Sequence, residues 1–187
     1  MNQLLDRLFR FLRVHTLRPH LPAGRAAILD LGCGPKPWFR YLEPAERERL
    51  NLTAVDQRAY PSVTDGLLTF VQANIESPLP FDAGTFDFVT MLALLEHLND
   101  PAAVLRQVQR VLRPGGVLLL TTPTWRAKPI LEFLAFRLHL IDQREIADHK
   151  RYFSASELRQ LLVAANFKIK TLRSFELGCN LIAAATK

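Results

Sequence analysis

The sequence predicts a doubly wound α/β fold on a mostly parallel sheet of seven strands that ends in an antiparallel hairpin. Five strand-like apolar runs come first, with helix-like stretches between several of them, and this alternation is typical of parallel sheets with crossover helices. Two more strand-like runs follow close together, and so short a connection requires an antiparallel pair. The seven runs are 27–31, 52–56, 68–73, 86–92, 116–122, 167–175 and 179–186.

Two helices have clear start signals. One begins at Pro101, a residue suited to the first helical position, and either Asn99 or Asp100 can cap it. The other begins after Ser154, where Glu157 three residues later completes a capping box. Apolar residues recur in both at three- and four-residue spacing, so each helix is expected to bury one face.

Length and composition fit one globular domain. The chain has 187 residues, of which 49% are hydrophobic and 22% charged. No apolar run reaches the roughly 18 residues of a membrane-spanning helix, and Arg7, Arg10 and Arg13 interrupt what would be a signal-peptide core. We therefore expect a cytoplasmic protein. Cys33 and Cys179 make a disulfide framework improbable, and no Cys/His spacing predicts a metal site.

The basic charge leaves several partners open. The formal net charge is +6 at pH 7, which favours an anionic partner such as nucleic acid, an acidic membrane face or a phosphorylated substrate. A solvated basic surface explains the same charge, since no arginine- or lysine-rich block stands out.

The most informative segment is the turn after the first strand. The apolar run from Ala26 ends in Asp30 and a Gly32-Cys33-Gly34 turn, where the backbone can bend tightly and approach a ligand. The third glycine of the dinucleotide fingerprint is missing. Asp56 ends the second strand 22 positions after Gly34, about where an acid binds ribose hydroxyls in such folds.

Taken together, these and later motifs resemble the class I S-adenosylmethionine-dependent methyltransferases, from Ile28 to about Phe167. The likeness rests on LDLGCG (29–34), AVD (54–56), ANIE (73–76) with LPF (79–81), FDFV (86–89), LEHLNDP (95–101) and RVLRPGG (110–116). The segments 36–38, 122–123 and 151–154 resemble a branch of small-molecule methyltransferases, of the type 11 and type 12 kind. The resemblance implies a Rossmann-like fold and S-adenosylmethionine as the cofactor.

The resemblance also implies a cofactor site. Asp30 would lie near the ammonium of the cofactor, the glycine turn along its methionine part, and Asp56 on its ribose. Asn74 stands where the family usually has an aspartate facing the adenine amino group, and an amide can both accept and donate there. The implied cofactor-binding residues are Asp30, Gly32, Cys33, Gly34, Asp56, Gln57, Asn74, Ile75, Leu92 and Ala93.

Three side chains are candidates for a general base toward a hydroxyl acceptor: His97, His149 and Tyr152. His97 lies in the motif after the fourth strand, where the family's Glu-His pair often has a structural role. Asp148 could orient an imidazole or be a solvated loop acid. Cys33 could be a nucleophile or a small buried residue in the turn.

The resemblance predicts a single methyltransferase domain over residues 1–187. Residues 1–22 are expected to form an N-terminal helical lid, 23–122 the cofactor-binding half, 123–153 an acceptor-side insertion, and 154–187 the terminal helix and hairpin. Within the first part, 4–14 carry an apolar stripe that suits either a lid over the cleft or an interfacial helix. Residues 130–141 are apolar almost all round, so a helix there would be buried, line an acceptor pocket or face a partner.

Three functions follow from these observations. The first is methylation of a small-molecule acceptor, on oxygen before carbon or nitrogen. The second is nucleic-acid methylation, suggested by the basic charge, although Met91-Leu92-Ala93-Leu94 occupies the place of the aromatic-plus-proline tetrapeptide of amino-methylating enzymes. The third is a cofactor-binding partner subunit without turnover. Peripheral membrane contact and a homodimer are both compatible with the apolar segments.

Overall fold

A computed structural model describes residues 15–35, 37–60 and 68–187 and shows one seven-stranded sheet. Its spatial order is β3-β2-β1-β4-β5-β7-β6. The first five strands are parallel, while β7 is antiparallel to both of its neighbours. The fold class predicted from the sequence is therefore confirmed, including the terminal hairpin. The strands are β1 (Ala26–Leu31), β2 (Leu50–Asp56), β3 (Thr69–Gln72), β4 (Phe86–Leu92), β5 (Leu112–Pro123), β6 (Lys168–Phe175) and β7 (Asn180–Thr186).

Helices connect the strands and cover the sheet. The α-helices are α1 (Pro44–Glu48), α2 (Pro101–Val111), α3 (Ala127–Glu132), α4 (Gln143–Ala147) and α5 (Ala155–Ala164). Short 3₁₀ turns span Arg18–His20, Trp38–Tyr41, Leu95–His97 and Glu176–Gly178, and a π-helical turn spans Phe133–Arg137.

The capping residues act as the sequence predicts. Of the two candidates before α2, Asp100 is the N-cap, and its side chain accepts a hydrogen bond from the N–H of Ala103. Before α5, Ser154 and Glu157 form both hydrogen bonds of a capping box. These bonds satisfy backbone donors that have no partner inside the helix.

Two apolar layers, one on each face of the sheet, form the core. On one face, buried side chains of α2 and α5, such as Val108 and Leu162, pack against the strands. On the other, Leu17, Trp38 and Phe39 pack against β1, β2 and β4. Burial on both faces makes the central strands near-continuous apolar runs.

β5 is longer than the sequence predicts. It begins at Leu112 rather than at residue 116, and its pairing with β4 shifts register between Phe86 and Phe88. The irregularity accommodates Pro114, which has no N–H to donate to a ladder.

The helix expected over 130–141 forms but ends earlier than predicted, at Arg137. α3 ends at Glu132 and the π-helical turn that follows ends at Arg137. Several large side chains face solvent: Ile130, Phe133 and Phe136 are 49%, 54% and 44% exposed. Of the three roles that the sequence left open, burial does not apply to these three side chains, whereas lining an acceptor pocket and facing a partner stay predictions. The predicted helix at 4–14 lies outside the described residues.

Within the described part of the chain, no helix combines the length and the apolar character needed to cross a membrane.

Candidate functional site

A cavity of about 670 Å³ lies where the carboxyl ends of β1, β2 and β4 meet. In open α/β sheets this edge is where ligands bind, at the point where the strand order reverses. Here the reversal is between β1 and β4. The lining residues that the sequence singled out are Gly32, Asp56, Gln57, Asn74, Ile75, Ala93 and His97.

Gly32 lets the turn after β1 form part of the cavity wall. Its φ is +72°, a left-handed conformation that costs a residue with a Cβ free energy. A Cβ built there would lie 2.8 Å from Cδ1 of Leu94, which also lines the cavity. Gly34 has a φ of +61°, but the space around it is open.

Asp56 holds the glycine turn while lining the cavity. Its Oδ2 accepts a hydrogen bond from the N–H of Gly34 at 3.0 Å, and its Oδ1 accepts one from the N–H of Arg58 at 3.0 Å. The side chain is buried, 9% exposed. Each carboxylate oxygen has a second lone pair with which to accept another hydrogen bond.

Asn74 and Ile75 follow β3 and line another part of the cavity wall. The Oδ1 of Asn74 accepts a hydrogen bond from the N–H of Glu76 at 3.0 Å, which fixes the direction of the amide. Glu76 in turn accepts from the N–H of Asp100, and this bond, with those from Asn99, lowers the pKa of Glu76. Ile75 is buried and gives this part of the cavity an apolar surface.

Asp30 lies in the core rather than on the cavity wall. It is 2% exposed, and its Oδ1 accepts a hydrogen bond from the hydroxyl of Thr90 at 2.6 Å. The indole N–H of Trp38 donates to the same hydroxyl at 3.1 Å. Asp30, Cys33, Gly34 and Leu92 are not among the residues that line the cavity.

Cys33 has the environment of a small core residue. Burial raises the pKa of its thiol, and the neighbouring carboxylates of Asp30 and Asp56 raise it further. The sulfur therefore stays protonated at neutral pH, whereas a nucleophilic cysteine needs its pKa lowered.

Ala93 turns the chain sharply at the end of β4. Its φ is +50°, and its N–H donates to both the carbonyl and the hydroxyl of Thr121 on β5, at 3.0 and 3.2 Å. A left-handed alanine is strained, and such strain clusters at ligand sites. The left-handed turn at Ala93 directs the backbone from β4 along the cavity toward His97.

His97 reaches the cavity from the 3₁₀ turn after β4 and pairs with Asp148. Its Nδ1 lies 3.0 Å from Oδ2 of Asp148, which follows α4. The N–H of Lys150 donates to the carbonyl of Glu96 at 2.9 Å and fastens the α4 segment beside this turn. Of the two roles the sequence left open for Asp148, the geometry favours orienting an imidazole, and that imidazole is His97 rather than the adjacent His149.

His149 and Tyr152 lie behind His97, along a second cavity of about 300 Å³. The rings of His97 and His149 meet edge to face with centroids 4.8 Å apart, and Nδ1 of His149 lies 3.2 Å from the hydroxyl of Tyr152. Burial, with the charge of His97, lowers the pKa of His149 to about 4. Burial, with Glu132 and Glu96, raises that of Tyr152. At neutral pH His149 is thus an uncharged imidazole and Tyr152 a phenol.

Glu96, His97 and His149 together form a group that could hold a metal ion, with ligand atoms within 4.8 Å of one another. Glu96 is buried and accepts a hydrogen bond from the hydroxyl of Thr122 at 3.1 Å. Sequence spacing did not indicate this group, because His149 is far along the chain from the other two. The prediction that the protein carries no metal stays a prediction.

The larger cavity suits a cationic ligand with a polar and an apolar part. Its side chains include Asp56, Glu76, Asp142, Glu145 and Asp148 against Arg58, Arg144 and Lys150. Carboxylates therefore outnumber basic groups, while Ile75, Leu94 and Leu98 add apolar surface. S-adenosylmethionine has this chemistry, since it carries a sulfonium, an ammonium, two ribose hydroxyls and a flat base.

The sheet order and the antiparallel β7 are those of the class I methyltransferase fold. A glycine turn bonded to the acid that ends β2 lies at the carboxyl ends of the strands. Comparison with known proteins agrees: residues 3–172 match a family described as methyltransferase domain. The chain belongs to this family, within the class I S-adenosylmethionine-dependent methyltransferases, whose cofactor is S-adenosylmethionine. The family and the cofactor predicted from the motifs are thereby confirmed.

Curated relatives include two ubiquinone biosynthesis O-methyltransferases. The protein of Vibrio parahaemolyticus is 28% identical over 145 residues, which cover 72% of this chain and 60% of that protein. The protein of Cronobacter sakazakii is 29% identical over 162 residues, with 78% and 65% covered. The chain thus spans less than two thirds of the length of these relatives.

A solved structure shows the same fold at low identity. The 1,6-didemethyltoxoflavin-N1-methyltransferase of Burkholderia thailandensis, solved with 1,6-didemethyltoxoflavin and S-adenosylhomocysteine, superposes with a TM-score of 0.68. Its sequence is 20% identical, and the match covers 93% of this chain and 76% of that one.

Proposed function

We propose that the chain transfers a methyl group from S-adenosylmethionine to an oxygen atom of a small-molecule acceptor. The observation that carries this proposal is the His97–Asp148 pair on the wall of the cavity that suits the cofactor. A base beside the cofactor serves a hydroxyl acceptor, which must lose a proton as it is methylated. The names of the two O-methyltransferase relatives support the same chemistry.

The cofactor would be held by the residues around the glycine turn. Asp56 would accept hydrogen bonds from the ribose hydroxyls with its spare lone pairs, while Asn74 and Ile75 would contact the adenine. The backbone of the turn, with Gln57 beside it, would follow the methionine part. Asp30, which lies beneath the turn, would attract the ammonium group of the cofactor through its negative charge.

The chain's own contribution to the chemistry would be to position the acceptor and take up its proton. S-adenosylmethionine, when bound, supplies a methyl group that is already activated on a sulfonium. Positioning of the acceptor therefore gives most of the remaining rate enhancement. With its Nδ1–H donating to Asp148, His97 has its lone pair on Nε2. That nitrogen would accept the hydroxyl proton, and the Asp148 carboxylate would stabilise the imidazolium that forms.

The acceptor would lie between the cofactor and residues 123–153. This segment contains α3 and α4 and contributes Asp142, Arg144, Glu145, Asp148 and Lys150 to the larger cavity. It therefore fits the acceptor side of the single domain expected from the sequence. The predicted lid over residues 1–22 remains part of this proposal.

The larger cavity does not have the charge of a polynucleotide-binding surface. Its side chains carry more carboxylates than basic groups, and a phosphate backbone is bound through lysine and arginine. The net charge of +6 is therefore carried elsewhere on the protein.

The test has two stages. Calorimetric titration with S-adenosylhomocysteine is expected to show one site, and NAD is expected not to bind. Methyl-labelled S-adenosylmethionine is then incubated with a panel of phenols, catechols and aliphatic alcohols and, in a parallel reaction, with RNA. At least one of the small molecules should become labelled. Cofactor binding with labelling of RNA and of no small molecule would overturn the proposal. Cofactor binding without any transfer would favour the non-catalytic partner subunit.

A further inference from the structure

The second cavity has a lining unlike that of the first. Trp125, Phe136, Tyr152 and His149 supply rings, and Lys128, Lys150 and Arg151 supply positive charge against the single carboxylate of Glu132. Its volume of about 300 Å³ is at the small end of ligand sites. This lining favours a ligand that is compact, aromatic and negatively charged.

The rings of this cavity form a continuous row that leads to the cofactor cavity. Trp125 and Tyr152 have centroids 5.7 Å apart, Tyr152 and His149 5.4 Å, and His149 and His97 4.8 Å. These spacings lie in the range of favourable aromatic pairs. The row thus begins at an exposed tryptophan and ends at the residue proposed as the base.

Lys150 connects the two cavities. It lines both of them, and the hydrogen bond from its N–H to the carbonyl of Glu96 fixes its backbone between them. An ammonium at this junction would attract an anionic group without occupying the aromatic surface. Trp125 is 55% exposed, so its ring has a face available for stacking.

We infer that this second cavity binds a small aromatic ring bearing a carboxylate or similar anionic group, as the acceptor subsite of the enzyme. The ring stacks in the aromatic row, the anionic group pairs with Lys128 and Lys150, and a hydroxyl on the ring points toward His97. This inference rests on the proposed function, and it adds the class of acceptor: a phenol that carries a negative charge.

The test uses three probes on the protein saturated with S-adenosylhomocysteine. Calorimetry compares 3,4-dihydroxybenzoate, which is aromatic and anionic, with catechol, which lacks the charge, and cyclohexanecarboxylate, which lacks the aromatic ring. We expect 3,4-dihydroxybenzoate to bind at least fivefold more tightly than either of the others. Equal binding of cyclohexanecarboxylate would overturn the inference.

Variants locate the binding. Trp125→Leu should lower the affinity for 3,4-dihydroxybenzoate about fivefold to tenfold through loss of stacking. Lys128→Gln should lower the same affinity about threefold through loss of a positive charge. Lys168→Gln, on the edge strand β6 and outside both cavities, is the control and should leave the affinity unchanged. Circular dichroism checks that each variant is folded. Unchanged affinity in both cavity variants would place the binding elsewhere and overturn the inference.

The same titrations separate the two proposals. Tight S-adenosylhomocysteine binding without binding of 3,4-dihydroxybenzoate would overturn the aromatic-anion subsite and leave the methyltransferase proposal standing. Absence of S-adenosylhomocysteine binding would overturn the methyltransferase proposal. Titration of 3,4-dihydroxybenzoate into the ligand-free protein, with and without Trp125→Leu, would then test the subsite on its own.

Discussion

The N–H of Gly34 donates a hydrogen bond to Oδ2 of Asp56 at 3.0 Å and ties the turn after β1 to the end of β2. The acid proposed to hold the ribose is thus also a structural support of the glycine turn. Any substitution of Asp56 changes both the ligand site and the turn.

Asp56→Ala is expected to weaken S-adenosylhomocysteine binding at least tenfold and also to lower the free energy of unfolding by about 1–2 kcal/mol. Charge-assisted hydrogen bonds contribute about 1.5–3 kcal/mol each, and the N–H of Gly34 and of Arg58 would lose their partner. Calorimetry and urea unfolding measure the two effects. Asp82→Ala, at an exposed aspartate outside the cavity, is the control. Wild-type affinity in Asp56→Ala would show that the ribose is bound elsewhere.

Gly32→Ala should harm cofactor binding more than Gly34→Ala, although both residues have positive φ. The left-handed strain costs either variant roughly 1 kcal/mol of stability. Only at Gly32 does the new methyl group meet Leu94, at 2.8 Å, and push this side chain within the cavity. Titration with S-adenosylhomocysteine and thermal unfolding compare the pair. Equal loss of affinity would mean that strain alone matters at this turn.

His97→Gln is expected to lower kcat by about 10²-fold, within the range for loss of a general base. Asp148→Asn should lower it about tenfold, because the amide no longer stabilises the imidazolium. Both variants should bind S-adenosylhomocysteine within about threefold of wild type, since the His97–Asp148 pair is assigned to the acceptor. Steady-state kinetics with the acceptor found in the labelling screen measures kcat. A rate unchanged by His97→Gln would remove the base role.

The pKa of His149 predicts a pH dependence of stability. Because its pKa is about 4 in the folded protein and 6.5 in a model peptide, the unfolded chain binds the proton more readily. This contribution to stability is fully present above about pH 6.5 and is lost as the pH falls toward 4. We expect a loss of about 1–2 kcal/mol over this window, reduced by partial solvent exposure.

Urea unfolding between pH 4.5 and 7.5 tests this pH dependence. His149→Gln should reduce the slope below pH 6.5, while the slopes of the two proteins should agree above pH 7. An identical slope in both proteins at low pH would show that other groups control the acid sensitivity.

Ser154→Ala should lower the free energy of unfolding by about 1 kcal/mol without affecting cofactor binding. The hydroxyl caps α5 by accepting from the N–H of Glu157, and loss of such a cap typically has this cost. Chemical denaturation measures the change, and Arg159→Ala, exposed in the middle of the same helix, should change stability by only a few tenths of a kcal/mol. A loss of S-adenosylhomocysteine affinity in Ser154→Ala would contradict the separation of cap and site.

The sequence by itself determined the features that depend on neighbours along the chain. The glycine turn, the acid that ends β2, the caps at Asp100 and Ser154, and the antiparallel end of the sheet all follow from local backbone chemistry or from the length of a connection. For this reason the fold class could be predicted from the sequence, while the family was identified through the resemblance of the motifs.

Only the tertiary structure decided how distant side chains are grouped. Asp148 pairs with His97 across 51 positions rather than with the adjacent His149, and His149 lies along a different cavity from His97. Burial was one of three roles that the sequence left open for the apolar residues near Phe133. In the structure Phe133 and Phe136 are exposed, while Ala127 and Ala135 are buried. Periodicity reports which residues share a face, whereas packing between distant elements determines what that face meets.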